Sequence, residues 1–340
     1  MLINLKEVRG IIGKLTLKKI WNIILLKTSF CLSVITKKVI HWGYPFAISI
    51  EPTTSCNLRC PECPSGLRSF SRSTGMLDYE FYKNIIEQCT PFLSYLILYF
   101  QGEPYLNPDF FRFIQYASER KIYTITSTNA HFLNDEQARL TVASGLDKII
   151  ISIDGTTQET YEKYRIGGTY NKVIEGIQNL VYWKKQLKRQ HPLIVLQFLI
   201  FKFNQHEIND IKVLSKELEV DQLVYKTAQI YKLQKDSNLI PDVPKYSRYK
   251  KVNEEYVIKN KLYNRCWRMW SSSVITWDGK VVPCCFDKDA KYVQGDLKKN
   301  PFMNIWKNSH QLDFRQKILR SRKEIDICKN CSEGSKIWAD

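Results

Sequence analysis

The sequence predicts an α/β fold: a partial (β/α)6 barrel followed by a small C-terminal domain of β-hairpin and helices. Two patterns carry that prediction. Between residues 46 and 230, six short apolar, β-branched runs alternate with five amphipathic helical stretches, and such alternation builds parallel βαβ units with right-handed crossovers. Beyond residue 263 the pattern changes to β-rich runs around an Asp-Gly pair, a strong hairpin signal. A chain of 340 residues has room for one large or two ordinary domains.

In chain order, residues 1–45 form a basic arm. Val8 to Ile50 contains no Asp or Glu, yet includes Arg9, Lys14, Lys18, Lys19, Lys27, Lys37 and Lys38. Ile11, Ile12, Leu15, Ile20, Trp21, Ile24, Leu25 and Phe30 lie between them at roughly helical spacing. The run Ile20 to Ile35 is broken by Lys27 and falls short of the roughly 20 residues of a membrane span. Two expectations follow: a helix packed on the barrel, or contact of residues 1–40 with a membrane surface.

The barrel, residues 46–230, has expected strands at Ala47–Ile50, Tyr95–Phe100, Tyr123–Ser127, Lys148–Ile153, Ile194–Phe201 and Leu223–Lys226. Expected helices are Tyr79–Gln88, Pro108–Arg120, Asp135–Ser144, Tyr170–Leu187 and His206–Leu218. In TIM-like barrels the active groups follow the C-terminal ends of strands. After the first strand comes Cys56-Asn-Leu-Arg-Cys60-Pro-Glu-Cys63, one loop able to turn three thiolates to one point. Three sulfurs suit a [4Fe–4S] cube with one open iron, whereas structural zinc wants a fourth ligand. After the second strand, Gln101-Gly102-Glu103-Pro104 offers close backbone approach and a carboxylate for an ammonium. Ser127-Thr128-Asn129 and Ser152-Ile-Asp154-Gly155 place polar groups after the third and fourth strands. Asn204 reads as a helix cap, and His206 as an ordinary helix-start residue.

Residues 231–262, rich in Lys and Tyr and broken by Pro241 and Pro244, read as a linker leading into a short helix. In residues 263–340, the hairpin at Asp278-Gly279 should fold Cys284 back toward Cys266, and Cys328-Lys-Asn-Cys331 adds two thiols. Four thiolates make a closed site, and their spacing admits zinc or a [4Fe–4S] cluster. Neighbours in a strand face opposite ways, so Cys284 and Cys285 should not both ligate. Cys31, Cys89 and Cys285 default to buried structural thiols.

The loop Glu51-Pro-Thr-Thr-Ser-Cys56-Asn-Leu-Arg-Cys60-Pro-Glu-Cys63 resembles the radical S-adenosylmethionine (radical SAM) superfamily, in the branch with a SPASM or twitch extension. The resemblance spans roughly residues 46–332 and several motifs in order. It implies that Cys56, Cys60 and Cys63 hold the cube whose open iron binds SAM. Gln101, Gly102 and Glu103 would then meet the SAM amino group, with Gln101 replacing a family Gly. By the same resemblance, Asn129 contacts SAM or substrate, Ser152 and Asp154 lie on the ribose side, and Arg165 pairs with the SAM carboxylate. Near the fifth strand end it implies adenine contacts. Glu62 departs from the family, which usually has an aromatic there. Gly279-x4-Cys284 and Asn304-Ile-Trp306 resemble the auxiliary-cluster domain, and favour Cys266, Cys284, Cys328 and Cys331 as ligands of one auxiliary [4Fe–4S] cluster.

A net charge of +17 favours anionic partners, among them an acidic electron donor such as flavodoxin or ferredoxin. Thiols at ligand spacing, without a secretory cleavage pattern, point to a reducing cytoplasm, with peripheral membrane contact an option. RNA binding is disfavoured, because basic aromatic segments such as Tyr246-Ser-Arg-Tyr-Lys-Lys come without a recognisable RNA-binding module. Reductive SAM cleavage and hydrogen abstraction are the implied chemistry, with the second cluster as electron conduit. The arm is too short for an ordinary peptide-recognition domain. A small polar or membrane-linked metabolite, a sugar or lipid headgroup, is therefore the expected substrate, and peptide or protein modification the alternative.

Overall fold

The computed structural model describes residues 5–231, 238–259 and 261–332. Parts of three expected segments lie outside the described residues: 1–4 of the arm, 232–237 and 260 of the linker, and 333–340 of the C-terminal domain. Two helices come first, α1 (Leu5–Ile12) and α2 (Leu17–Thr36). The Thr16 hydroxyl caps α2 by accepting the Lys19 N–H at 3.3 Å. α2 runs 20 residues, so it outruns the apolar segment 20–35 and is long and apolar enough to cross a membrane by length and composition.

Six strands and their helices follow: β1 (Ala47–Ile50), α3 (Pro64–Leu67), α4 (Tyr79–Cys89), β2 (Tyr95–Ile97), α5 (Phe110–Glu119), β3 (Tyr123–Thr128), α6 (Asp135–Ala143), β4 (Lys148–Ser152), α7 (Gln158–Glu162), α8 (Tyr170–Gln186), β5 (Leu193–Ile200), α9 (Ile208–Glu217) and β6 (Gln222–Thr227). β1 to β6 pair in sequence order and in parallel, the arrangement of a partial (β/α)6 barrel. Successive strand residues face opposite ways. Ile48, Ile50, Leu96, Ile149, Ile151, Leu196 and Phe198 share one face of the sheet, and all are fully buried. Beyond the barrel lie β7 (Tyr249–Val252), β8 (Glu255–Ile258), α10 (Arg268–Ser271), β9 (Ser272–Ile275), β10 (Lys280–Val282), β11 (Gly295–Asp296), α11 (Phe302–Trp306), α12 (Ser309–Ser321) and α13 (Asp326–Lys329).

The C-terminal hairpin is continuous with the barrel sheet. β9 pairs in parallel with β1, from Ala47↔Ser272 to Ile50↔Ile275, and β10 turns back antiparallel on β9. The result is one nine-stranded sheet, β11-β10-β9-β1-β2-β3-β4-β5-β6. The 90° φ of Gly279 makes the expected Asp-Gly turn. Residues 249–258 correct the linker reading: β7 and β8 form an antiparallel hairpin. Asn253 and Glu254 both take positive φ there, as a two-residue turn of the primed type needs.

Glu51, the residue after β1, ties the two parts together. Its backbone N–H extends the β1–β9 pairing by donating to Ile275 O at 2.9 Å. Its side chain is fully buried, receives both guanidinium ends of Arg72 (2.9 and 2.6 Å) and accepts the Trp277 N–H at 3.2 Å. Burial lifts the Glu51 pKa against the pull of Arg72. Arg72 Nε in turn donates to Lys288 O at 3.0 Å. Removing one partner of such a pair strands a buried charge. Arg72→Ala is therefore expected to cost about 3–5 kcal/mol in urea unfolding, and a loss below about 1 kcal/mol, the level of an exposed ion pair, would contradict this role.

Candidate functional site

The cysteine loop is seated by close backbone contacts. Gly102, at φ 73°, lies so near it that a Cβ would stand 2.3 Å from Thr53 O, so no other residue fits there. The Gly102 N–H donates to the Ser65 hydroxyl and the Glu103 N–H to Ser55 O, both at 2.8 Å. At Gly66 a Cβ would approach Cys60 N to 2.6 Å, so the first turn of α3 packs directly on the loop.

Cys56, Cys60 and Cys63 line one cavity together with Gly102, Glu103, Asn129, Ser152 and Arg165. Gln101 stands beside it, its Oε1 3.9 Å from the Cys63 sulfur. Burial pushes the Cys56 thiol up to about 12 and lifts Cys60 too, against the pull of Arg165. Thiols so placed ionise when a metal supplies the compensating charge. Three thiols around one cavity suit an iron–sulfur cube with one open iron.

Glu103 is 2 % exposed and its carboxylate is held from two sides. Thr128 donates its hydroxyl to one oxygen at 2.7 Å and the Asn129 N–H donates to the other at 2.8 Å. Burial pushes its pKa up to about 7 against these bonds, so an arriving cation would pull it back down. The Asn129 amide donates to Asn57 Oδ1 at 2.8 Å and stands 3.9 Å from the Cys56 sulfur.

Asp154, expected on the ribose side, has its carboxylate tied into the protein. It is fully buried and its oxygens are engaged within the protein, one by Arg165 Nε at 2.6 Å and the other by the Leu199 N–H at 2.9 Å. Its part is to aim Arg165, whose other end reaches 3.9 Å from the Cys60 sulfur. Asn204 does not cap its helix. Fully buried, it laces strand ends together by donating to Asp154 O and Leu199 O and accepting the Phe201 N–H. Glu62, where an aromatic was expected, accepts the Tyr231 N–H at 2.8 Å and so ties the loop to the residues after β6.

The second cysteine set gathers beneath β9 and β10. Cys284 is within electrostatic reach of Cys266 and Cys331, and burial raises its pKa well above the ordinary thiol range. The N–H of Cys331 donates to Cys328 O at 3.1 Å, closing a tight loop. Arg322, 2 % exposed, stands among Cys266, Cys328 and Cys331 and donates to the Cys331 sulfur at 3.1 Å. Cys285, half-buried, is also within electrostatic reach of Cys284, and its sulfur stands 3.6 Å from an Arg268 nitrogen. Cys89 is buried in the core as expected, but Cys31 is exposed on α2. Arg322 and Arg72 escaped the sequence reading because a lone Arg carries no spacing signal, and Asn204 was read only as a helix cap.

Asp154 and Arg165 should behave as a coupled pair. Asp154→Ala is expected to cost about 3–5 kcal/mol by leaving a buried guanidinium uncompensated, and combining it with Arg165→Met should recover much of that loss. Strict additivity in chemical denaturation would contradict the coupling.

Comparison with known proteins agrees with this geometry. Residues 50–181 match the radical SAM superfamily, and residues 266–332 match the SPASM iron–sulfur cluster-binding domain. The chain is 26% identical over 330 residues to the AdoMet-dependent heme synthase of Methanosarcina barkeri, covering 87% of this chain and 90% of that one. It is 22% identical over 293 residues to the S-adenosyl-L-methionine-dependent 2-deoxy-scyllo-inosamine dehydrogenase of Niallia circulans, covering 85% and 93%. The structure of Streptococcus suis SuiB bound to precursor peptide SuiA shares the fold, with a TM-score of 0.62 at 14% identity over 89% of this chain and 74% of that one. The chain belongs to the radical SAM superfamily: it is an iron–sulfur enzyme that uses S-adenosylmethionine and carries a SPASM-type cluster domain behind its barrel.

Proposed function

We propose that this enzyme oxidises a small polar metabolite, a sugar or related polyol, by removing a hydrogen atom from carbon. Cys56, Cys60 and Cys63 hold the open-iron [4Fe–4S] cube, and Cys266, Cys284, Cys328 and Cys331 hold a saturated second one. When bound, the open cube and SAM supply a 5′-deoxyadenosyl radical.

The protein's own groups bind and aim. Glu103 receives the SAM ammonium, and its ionisation is completed by that charge. Arg165, fixed by Asp154, presents its guanidinium to the SAM carboxylate. Gly102 and Gln101 hold the near edge of the ligand, Asn129 steadies its neighbour Asn57, and Ser152 offers a hydroxyl to the ribose. Oxidation of an alcohol carbon balances if the hydrogen atom passes to the deoxyadenosyl radical, the hydroxyl proton to solvent and one electron to an acceptor. Cys266, Cys284, Cys328 and Cys331 would hold the second cluster, which would supply that acceptor. A flavodoxin or ferredoxin would deliver the initiating electron, and the +17 charge of the chain suits such acidic donors.

The observation that carries the substrate reading is a cavity of about 730 Å³ in which Glu62, Asp287 and Lys288 stand on a largely apolar wall that includes Leu67, Phe286 and Ile327. It shares Glu62 and Lys288 with the cysteine-lined cavity. Polar side chains of both signs fit a hydroxylated small molecule. Mass spectrometry of anaerobic reactions with polar metabolite extracts tests the reading: it predicts a product two hydrogens lighter, and a modified peptide in its place would overturn it.

Two further outcomes test the ligand assignment. Ala at Cys56, Cys60 or Cys63 is expected to abolish 5′-deoxyadenosine formation, whereas Cys328→Ala should lose about half the iron and keep SAM cleavage. Retained cleavage in the first group would refute the assignment. Arg322→Met removes a positive charge and a hydrogen bond at sulfur, so the midpoint potential of the second cluster should fall while that of the first stays fixed. An unchanged second potential would remove Arg322 from that role.

A further inference from the structure

Helix α2 sits on the barrel with its polar side inward. Its buried positions are Lys19, Asn22, Leu26, Ser29 and Ser33. Lys19 Nζ donates to Lys121 O at 2.8 Å, Asn22 exchanges two hydrogen bonds of 2.8 Å with the Tyr44 backbone, and Ser33 does the same with Ile40 at 2.8 and 2.9 Å. The outward stripe, at helical spacing, is Leu17, Ile20, Trp21, Ile24, Thr28, Cys31 and Ile35. Leu17 is 86% exposed, Trp21 60% and Ile35 76%. Soluble helices carry the opposite pattern, and a contiguous exposed apolar face marks an interaction surface.

We infer that this face of α2 lies in the plane of an anionic lipid bilayer. Charge selects the occupant. Lys18 and Lys27 flank the stripe on its two sides, exposed Lys37 and Lys38 follow its C-terminal end, and Val8 to Ile50 contains no acidic residue. The acidic residue of α1, Glu7, is already paired with Lys148 at 2.9 Å. A ridge of Trp, Ile and Leu bordered by lysines is complementary to acyl chains beneath anionic headgroups. A second copy of this chain would bring lysines against lysines with no acid between them. Spanning would strip Lys19, Asn22 and Ser33 from their backbone partners and bury them in hydrocarbon.

The docking also fixes an orientation. Lys14 bonds Asp147 and Ile122 O, Lys19 bonds Lys121 O, and Lys6 bonds Asp221. All these partners precede β3, β4 or β6, at the N-terminal ends of the strands. The thiols of residues 56–63 follow the C-terminal end of β1. A bilayer under α2 therefore meets the end of the barrel opposite the cysteine loop, and substrate enters from the aqueous side.

Sedimentation of the reconstituted full-length protein with phosphatidylcholine vesicles, with and without phosphatidylserine, tests the proposal. Binding should require phosphatidylserine and weaken steeply with salt. Trp21→Ser combined with Ile24→Ser should weaken it on the order of a hundredfold and leave SAM cleavage unchanged, which reports an intact fold. Lys18→Glu with Lys27→Glu should abolish the preference for phosphatidylserine. No vesicle binding, equal binding by the apolar variant, or a wild-type dimer that the apolar variant dissolves would each overturn the proposal. Retention through high salt and alkaline extraction would favour a spanning helix and overturn it as well.

Discussion

The parallel pairing of β9 with β1 is the constraint on which the rest depends. The cysteine loop leaves β1, and the second cysteine set flanks β9 and β10, so four residue pairs of one ladder fix one set against the other. Glu51 continues that ladder and then turns its carboxylate to Arg72 and Trp277. A buried pair of this kind contributes little net stability compared with an apolar replacement, but it punishes any arrangement that separates the partners. Its effect is to specify how the C-terminal hairpin meets the barrel.

The site itself is a problem in buried charge. Glu103, Asp154, Arg165 and the loop thiols all lie in low-dielectric surroundings, and each is given a definite partner or a reason to wait for one. Asp154 and Arg165 satisfy each other at 2.6 Å, which leaves the guanidinium correctly aimed before any ligand arrives. Glu103 accepts hydrogen bonds from Thr128 and Asn129, and burial outweighs them and the nearby Arg165, pushing its pKa up to about 7. Cys56 is similar, its thiol pushed up to about 12. Groups that are organised yet electrostatically unfinished mark the places where cofactors complete the structure. The second set is built alike, with Arg322 among its sulfurs as Arg165 stands beside the Cys60 sulfur.

Much of this was legible in the sequence, for physical reasons. The strands β1 to β6 were found within a few residues because each carries a short, dense apolar run, and β1 matched end to end. Thiols read well because ligand spacing is local. The hairpin of β7 and β8 was missed: its turn, Asn253-Glu254, lacks the glycine that usually signals two positive φ values. Asn204 looked like a cap because capping is a local rule, whereas its bonds to Asp154 and Leu199 depend on tertiary neighbours. Helix α2 shows the limit of periodicity most clearly. Its apolar stripe was visible, but small polar residues such as Ser29 and Ser33 pack as well as apolar ones when their hydroxyls reach backbone carbonyls. Nothing in the pattern alone says which stripe faces the barrel.

At the centre of the account are two iron–sulfur sites in one chain, the front one lacking a protein ligand and the rear one saturated. Electron paramagnetic resonance of the reduced, anaerobically reconstituted protein, recorded with and without SAM, addresses that asymmetry directly. Two cubane signals are expected, of which SAM perturbs one and leaves the other unchanged. A single signal, or two signals that SAM leaves alike, would contradict the account.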